Sequence, residues 1–365
     1  MDIAAGPGTV DEAFWRGRRV FLTGHTGFKG SWLARWLQRL GSEVTGYALP
    51  PSTDPSLFRA AGVGAAMNSL EGDIRDAEQL ARAIADHRPE VVLHLAAQSL
   101  VGYSYDAPTE TFGVNVMGTV HLLDAVRACD GVRAVIVVTS DKCYENREWV
   151  WPYREGDPLG GRDPYSSSKA CAELVVASYR RSFFESMDDL SGPALATARA
   201  GNVLGGGDWA ENRLVPDVIR SLIDERPLVL RYPESTRPWQ HVLDPLAGYL
   251  VLAQHIVADP ALAGPWNFAP GGEERWTVRR IVERLADLLE RPCAWVAHPG
   301  PVPHEAGSLR LDASKTRALL LWAPRFSVDD TLLSGAEWYA GHAAGRPAAE
   351  LVDAELDRYQ RLATC

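Results

Sequence analysis

From Arg18 onward the chain alternates two kinds of run, and this alternation restricts its fold more than any other feature. Short β-branched stretches (RVFLTG, EVTGYAL, VVLHLAA, AVIVVTS) are separated by longer amphipathic ones (SWLARWLQRL, DAEQLARAIADH, TVHLLDAVRAC). Strands of about five residues divided by helical runs of roughly ten to fifteen make successive βαβ units, which require a parallel sheet covered on both faces. The expected class is therefore α/β with a doubly wound parallel sheet. A further helix after Tyr165 and a further strand, ALATARAGNV, extend it. Beyond residue 203 the pattern loosens into Gly-, Pro- and Trp-rich segments, which predict a smaller, loop-rich α/β C-terminal lobe. The expected division is a sheet domain over residues 15–203, with returns from about 238–270, and a lobe over 204–340. The first fifteen residues and the Ala-rich tail after Ala343 read as loose ends.

Charge and cysteine usage narrow the class of partner. Against 37 Lys plus Arg stand 47 Asp plus Glu, a formal charge of −10. No basic run supplies the phosphate attraction on which nucleic-acid binders depend, so no nucleic-acid partner is expected. Cys129, Cys143, Cys171, Cys293 and Cys365 are odd in number and widely spaced, and read as reduced thiols of a cytoplasmic protein. The N-terminal stretch has no apolar core of signal length, and no run approaches a bilayer span, so neither export nor membrane insertion is expected. The nine histidines form no ligand constellation, and no metal is expected.

The first strand runs directly into Gly24-His-Thr-Gly27-Phe-Lys-Gly30 and then into a helix. Glycines at three-residue spacing let a pyrophosphate approach the helix N-terminus, where a Cβ would hold it away. A bare glycine pattern also fits a mere tight turn, but this position assigns it to dinucleotide binding by a Rossmann-type domain. Gly24, Thr26, Gly27, Phe28 and Gly30 are the candidates, with Lys29 read either as a cofactor-phosphate contact or as an exposed lysine at a helix start. The G-x-x-G-x-x-G spacing resembles the extended branch of the short-chain dehydrogenase/reductase superfamily. That resemblance implies Asp73 and Ile74, in EGDIRD, as an adenine-contacting pair, the other reading being a helix-capping loop. It also implies Leu95, Ala96 and Ala97 as the wall of the nicotinamide ribose and pyrophosphate. The second strand ends in Tyr47-Ala48-Leu49, with neither carboxylate nor arginine to choose between cofactors.

The strongest chemical signal is Tyr165-Ser-Ser-Ser-Lys169, with Ser140 at the end of the strand VIVVTS. At four-residue spacing on a helix the phenol and the amine share a face. A phenol with a reference pKa of ~10 becomes a base only when a nearby cation favours its phenolate. Ser140 would hydrogen-bond the substrate oxygen being oxidised. Beside it stand Asp141 and Lys142, two ionisable neighbours that simple oxidation does not need. Elimination of water does need an acid for the leaving hydroxyl and a base for the adjacent carbon, although a surface ion pair is the plainer alternative.

GHTGFKGSWL, HLAAQSLV, TSDKCYEN, DPYSSSKACAE, RAGNVLGGGDW and RPWQHVLDP together resemble the CDP-glucose 4,6-dehydratase family, from Arg18 to the region of Asp312. The resemblance implies tightly held NAD, oxidation of CDP-glucose at C4, loss of water between C5 and C6, and return of the hydride to C6. It makes Tyr165 the base at the C4 hydroxyl, Lys169 its support and the holder of the nicotinamide ribose, Ser140 the group that positions the C4 oxygen, and Asp141 the acid toward C6. Lys142 departs from the dTDP- and GDP-sugar dehydratases, which carry glutamate there. It is either the C5 base or a stabiliser of the enolate, with Tyr165, Asp141 or water then removing the proton. Arg237 is the first candidate for the substrate diphosphate, with Arg213 and Asn202 next. Gln98, Ser99 and His304 are further substrate candidates, and Trp209, Trp239 or Trp276 are candidates to stack on the base or to pack in the lobe. A homodimer is implied by the family. The rival functions are another sugar-nucleotide 4,6-dehydratase, a C4 epimerase, or an NAD-binding sensor or scaffold.

Overall fold

In the computed structural model the described residues are 8–185, 192–271, 275–300 and 307–362. The first part of the chain builds β1 (Arg19–Thr23), α1 (Phe28–Arg39), β2 (Glu43–Ala48), β3 (Asn68–Glu71), α2 (Ala77–His87), β4 (Val91–His94), α3 (Gly118–Arg127), β5 (Ala134–Val138), α4 (Pro164–Tyr179) and β6 (Ala194–Ala200). It continues through α5 (Leu214–Ile223), β7 (Leu228–Leu230), α6 (Leu243–Ala258), β8 (Gly264–Phe268), α7 (Val278–Leu288), β9 (Trp295–Ala297), α8 (Val328–Ala343) and α9 (Ala348–Leu362). Seven strands pair in parallel in the order β8-β6-β5-β4-β1-β2-β3. The strand order reverses between β1 and β4, which opens a crevice at their carboxyl ends.

Period-two alternation sends side chains to both faces of this sheet. Val20, Leu22, Val91, Leu93 and Ile136 join the cluster under α1 and α6, while Phe21, Val92, Val135 and Val137 join the one under α2, α3 and α4. The α1 helix buries Trp32, Leu33, Trp36 and Leu37 as one stripe and leaves Arg35 and Arg39 outside it. α6 is buried on nearly every side because it lies between the sheet and the following segments. The strand expected over ALATARAGNV stops at Ala200; Val203–Leu204 instead pairs with Gln240–His241 in a separate two-stranded piece. A second small sheet pairs β7 with β9.

The termini differ from expectation. Trp15 is fully buried and its indole donates to Gln254 at 2.9 Å, so the chain is tied down well before β1. Residues 1–7 and 363–365 lie outside the described residues. The tail is helix α9, which buries Leu351, Val352, Leu356 and Tyr359. Its outer side meets the arginines of α1: Arg35 forms a two-armed pair with Asp353 at 2.9 and 2.6 Å, and Arg39 pairs with Asp357. The Ala-rich composition disguised an amphipathic period. Among the described residues no helix is long and apolar enough to cross a membrane.

Candidate active site

A cavity of about 750 Å³ occupies the crevice at the carboxyl ends of β1, β4 and β5. Lys29, Leu95, Ala97, Ser140, Asp141, Lys142, Tyr165 and Lys169 line the side formed by the sheet domain. The segment after β6 and the region of α5 and β7 supply the opposite side, with Gly201, Asn202, Arg213, Arg231, Arg237 and Trp239. A cleft of this size at a strand-order reversal is the standard place for a ligand in such sheets.

The glycine turn has the form a dinucleotide requires. A Cβ on Gly24 would lie 2.7 Å from the Ala96 nitrogen, and one on Gly30 would lie 2.0 Å from the Gly24 carbonyl oxygen. These two glycines are thus required by the turn itself, and Gly24 adopts φ +76°. Gly27 is different: its Cβ would meet nothing nearer than 3.5 Å. Gly27 is also the N-cap of α1 and has no side chain to cap the helix, which leaves first-turn N–H groups for an anion. Turn, open cradle and uncapped helix end together fit the pyrophosphate of a dinucleotide. Thr26 donates to the Leu49 carbonyl at 2.8 Å and so ties the turn to the end of β2. Phe28 packs against the core. Ile74 is buried, whereas Asp73 is held by Arg75, whose guanidinium bonds keep that carboxyl below its usual range. Tyr47 donates to the Asp73 carbonyl at 3.2 Å, joining the end of β2 to this loop.

Lys29 is half-buried at the helix start and lines the cavity. Its Nζ donates to the Tyr249 hydroxyl of α6 at 2.8 Å. Burial, with Arg213 and Lys169 nearby, lowers its ammonium to about 7.

The reactive groups form one connected cluster. Asp163 caps α4 by accepting from the Ser166 N–H at 2.9 Å, and Pro164 occupies the first turn, so Tyr165 and Lys169 project from a fixed helix start. Tyr165 and Ser140 stand beside each other on the cavity wall. Ser140 donates to Asp141 Oδ1 at 3.0 Å and accepts from the Lys142 N–H at 3.1 Å. Asp141 is buried, and its second oxygen, Oδ2, has no protein partner. Burial raises this carboxyl above the usual range, against the pull of Lys142. Burial likewise pushes the Tyr165 phenol up to about 12, against the influence of the neighbouring Ser140 hydroxyl. Lys169 donates to the Val138 carbonyl at 3.2 Å; burial lowers it to about 8, and Glu173 opposes that shift. The cluster therefore places a carboxyl whose hold on its proton burial strengthens, with one oxygen lacking a protein partner, beside a phenol that needs cationic help to ionise.

Several substrate candidates are placed otherwise than the sequence implies. Gln98 is absent from the cavity wall: its carbonyl oxygen accepts from the Leu100 N–H at 2.6 Å, and its amide donates to Thr111 at 2.9 Å. Its length and two-sided amide are spent on holding the loop after β4. Trp209 packs edge-on against Tyr339 and beside His342, away from the cavity. Trp276 is buried with Arg280 over its ring. Trp239 does reach the cavity, but its indole donates to the Trp276 carbonyl at 3.1 Å. Arg213 is braced by Asp208 and Ser99, at 3.1 and 3.0 Å, and all three line the cavity with Asn202. Arg237 donates to the Thr236 carbonyl at 2.9 Å. His304 lies outside the described residues.

Three features escape a reading of the sequence. Arg231, at the end of β7, faces the cavity beside the expected arginines; the run LVLRY offers only that hint. Asn115 sits in a π-helical turn, Gly113–Met117, and its side chain clamps both the N–H and the carbonyl of Gln98 at 2.9 Å each. Glu173 and Arg199 form a buried pair behind the cluster. No local pattern announces either of the last two.

The sequence profile of the NAD dependent epimerase/dehydratase family matches residues 20–264. The CDP-glucose 4,6-dehydratase of Salmonella typhimurium strain LT2 is 48% identical to this chain over 357 residues, which is 97% of the chain and 99% of that protein. Among solved structures, a dTDP-glucose 4,6-dehydratase of Streptomyces venezuelae with NAD bound aligns at TM-score 0.76 and 24% identity, over 91% of this chain and 99% of the other. A UDP-glucose 4-epimerase of Stenotrophomonas maltophila with NAD bound aligns at 0.76 and 22% identity, over 90% and 99%. The two structural likenesses speak for the fold.

Proposed function

This chain belongs to the NAD dependent epimerase/dehydratase family, and within it to the CDP-glucose 4,6-dehydratases, and on that premise we propose how its cavity works. The protein is an NAD-dependent lyase that converts CDP-D-glucose to CDP-4-dehydro-6-deoxy-D-glucose and water. In this reading residues 15–203, with the returns near 238–270, hold the cofactor, and residues 204–340 mainly hold the substrate. The glycine turn with Lys169 would hold NAD, flanked by Leu95, Ala96 and Ala97. When bound, NAD accepts the C4 hydride and later returns it to C6, and its charged ring favours an ionised Tyr165.

The chain's own groups move the protons. Tyr165 takes the C4 hydroxyl proton while Ser140 holds the C4 oxygen, so that a ketone forms there. The ketone acidifies the hydrogen on C5. Asp141, whose hold on its proton burial strengthens, serves as the acid that protonates the departing C6 hydroxyl, which leaves as water. Lys142, beside Asp141 on the cavity wall, either accepts the C5 proton as a neutral amine or holds the enolate oxygen as a cation. Arg213, Arg231 and Arg237 supply the charge for the diphosphate.

What carries the dehydratase reading is that Tyr165 and Ser140 stand beside Asp141, which bonds Ser140 at 3.0 Å and keeps one buried oxygen without a protein partner. A C4 epimerase would use the first two groups and leave that acid idle. A homodimer is supported by apolar residues exposed on neighbouring helices, Phe112, Met117 and Leu174. Cytoplasmic residence is supported by the free thiols of Cys129, Cys143, Cys171 and Cys293. The test is incubation with equimolar CDP-, dTDP-, GDP- and UDP-glucose. A 4-ketone from CDP-glucose alone is expected; preferential ketone formation from another nucleotide sugar would overturn the assignment of the base.

A further inference from the structure

Behind the reactive hydroxyls lies a charged pair that the proton transfers do not use. Arg199 of β6 and Glu173 of α4 meet at 2.7 Å, with side chains only 3% and 3% exposed. Glu173 also accepts from the hydroxyls of Thr139 and, at 2.7 Å, Thr197. The other arm of Arg199 donates to the Tyr144 hydroxyl at 2.8 Å and to the Glu155 carbonyl at 3.1 Å. Tyr144 in turn donates to Asn267 of β8 at 2.7 Å.

The placement of these bonds along the chain matters more than their number. Thr139 immediately precedes Ser140, and Tyr144 immediately follows the short turn Asp141–Cys143. The segment carrying Ser140, Asp141 and Lys142 is therefore hung at both ends from one ion pair: Thr139 from Glu173, Tyr144 from Arg199. Glu173 also stands one helical turn beyond Lys169, on the same face of α4. Ion pairs withdrawn from water are weak sources of net stability, and fixing one arrangement of the groups around them is their best-supported use.

We propose that Glu173 and Arg199 are positioning residues that lock the elimination groups Asp141 and Lys142 in register with the oxidation groups Tyr165 and Lys169. The proposal rests on the dehydratase reading above. Glu173 has a second consequence, because its carboxylate opposes the loss of the Lys169 proton. The other ionisable groups around that amine are Cys143 on the turn, His94 at the end of β4, Lys29 on α1 and Tyr165 on its own helix.

Two conservative variants separate the two effects. Glu173→Gln keeps the shape of the carboxylate and loses its charge; Arg199→Lys keeps the charge and loses the two-armed bridge. Oxidation alone is followed as reduced nicotinamide formed with CDP-6-deoxy-glucose, which has no C6 hydroxyl to lose, and dehydration is followed with CDP-glucose. For Glu173→Gln the limb of the oxidation pH profile that reports Lys169 should move about one pH unit lower. For Arg199→Lys that limb should stay in place while dehydration slows about tenfold more than oxidation. If both variants slow both steps in parallel with an unmoved profile, the pair is merely structural and the proposal fails. Should Glu173→Gln not fold, the double variant Glu173→Gln/Arg199→Met, which removes both buried charges, is measured by the same two criteria. The dehydratase reading fails separately, and visibly, if the unaltered protein forms no 4-ketone from CDP-glucose.

Discussion

The two walls of the cavity hold their polar groups by different means. On the sheet side, Tyr165, Ser140, Asp141 and Lys169 are buried, joined to one another or to strand-end backbone, and set on the end of β5 and the first turns of a capped helix. On the opposite side, Arg213 and Arg237 are only partly buried and Arg231 is exposed; they project from a helix start, a loop and a strand end, where Asp208 and Ser99 hold Arg213 and backbone carbonyls accept from Arg231 and Arg237. The first arrangement shifts proton affinities because water is excluded; the second supplies charge to a ligand that arrives already ionised. Substitutions on the sheet side should therefore cost rate, and those on the arginine side affinity.

The sharpest break of that contrast is Tyr165→Phe. It should abolish C4 oxidation, with kcat down by about 10³ or more while substrate still binds, as read by equilibrium dialysis. Loss of binding with an unchanged rate would erase the distinction between the walls. Next comes Asp141→Asn, which keeps the packing but removes the proton. Hydride loss from CDP-6-deoxy-glucose should persist while dehydration falls about 10²-fold. Lys142→Met should slow dehydration less, by about tenfold. On the arginine side, Arg231→Ala should raise KM about tenfold with kcat nearly unchanged.

The smallest expected effect lies outside the cavity and tests whether burial governs proton affinity elsewhere in the fold. Asp244 on α6 accepts from the Arg325 N–H at 2.8 Å and from the Tyr359 hydroxyl of α9 at 3.0 Å. Burial raises its carboxyl to about 7. A raised folded value means that the native state holds a proton the unfolded chain has released. The stabilising effect is complete below about pH 4 and is lost as pH climbs through 7. Asp244→Asn, which mimics the neutral acid, should match the parent in Tm at pH 4 and exceed it at pH 8, by about 2–4 kcal/mol in stability. Equal Tm values at pH 8 would remove burial as the cause.

The same contrast explains which parts of the molecule are legible in the order of amino acids. The glycine turn, Tyr165 with Lys169, and Ser140 with its two ionisable neighbours are local spacings on a strand end or a helix start, and the elements that carry them show plainly in the hydrophobic period. The far wall has no such period. Arg231 becomes relevant only through the pairing of β7 with β9, and Gln98 and Trp209 are drawn inward by Thr111 and Tyr339, partners 13 and 130 residues away. Lys29 is legible as a basic residue in the turn, but its partner Tyr249 lies 220 residues further on. α9 is hidden for another reason: alanine masks the stripe Leu351, Val352, Leu356 and Tyr359, although alanine is the best of helix formers.

The central claim, that one hydride leaves C4 and comes to rest on C6 of the same sugar, can be followed directly. CDP-glucose carrying deuterium at C4 is converted by the purified protein loaded with NAD, and the product is examined by proton and deuterium NMR. The account predicts a 4-ketone whose C6 methyl group carries the label. Deuterium retained at C4, or a ketone whose label has passed to free reduced cofactor, would contradict it.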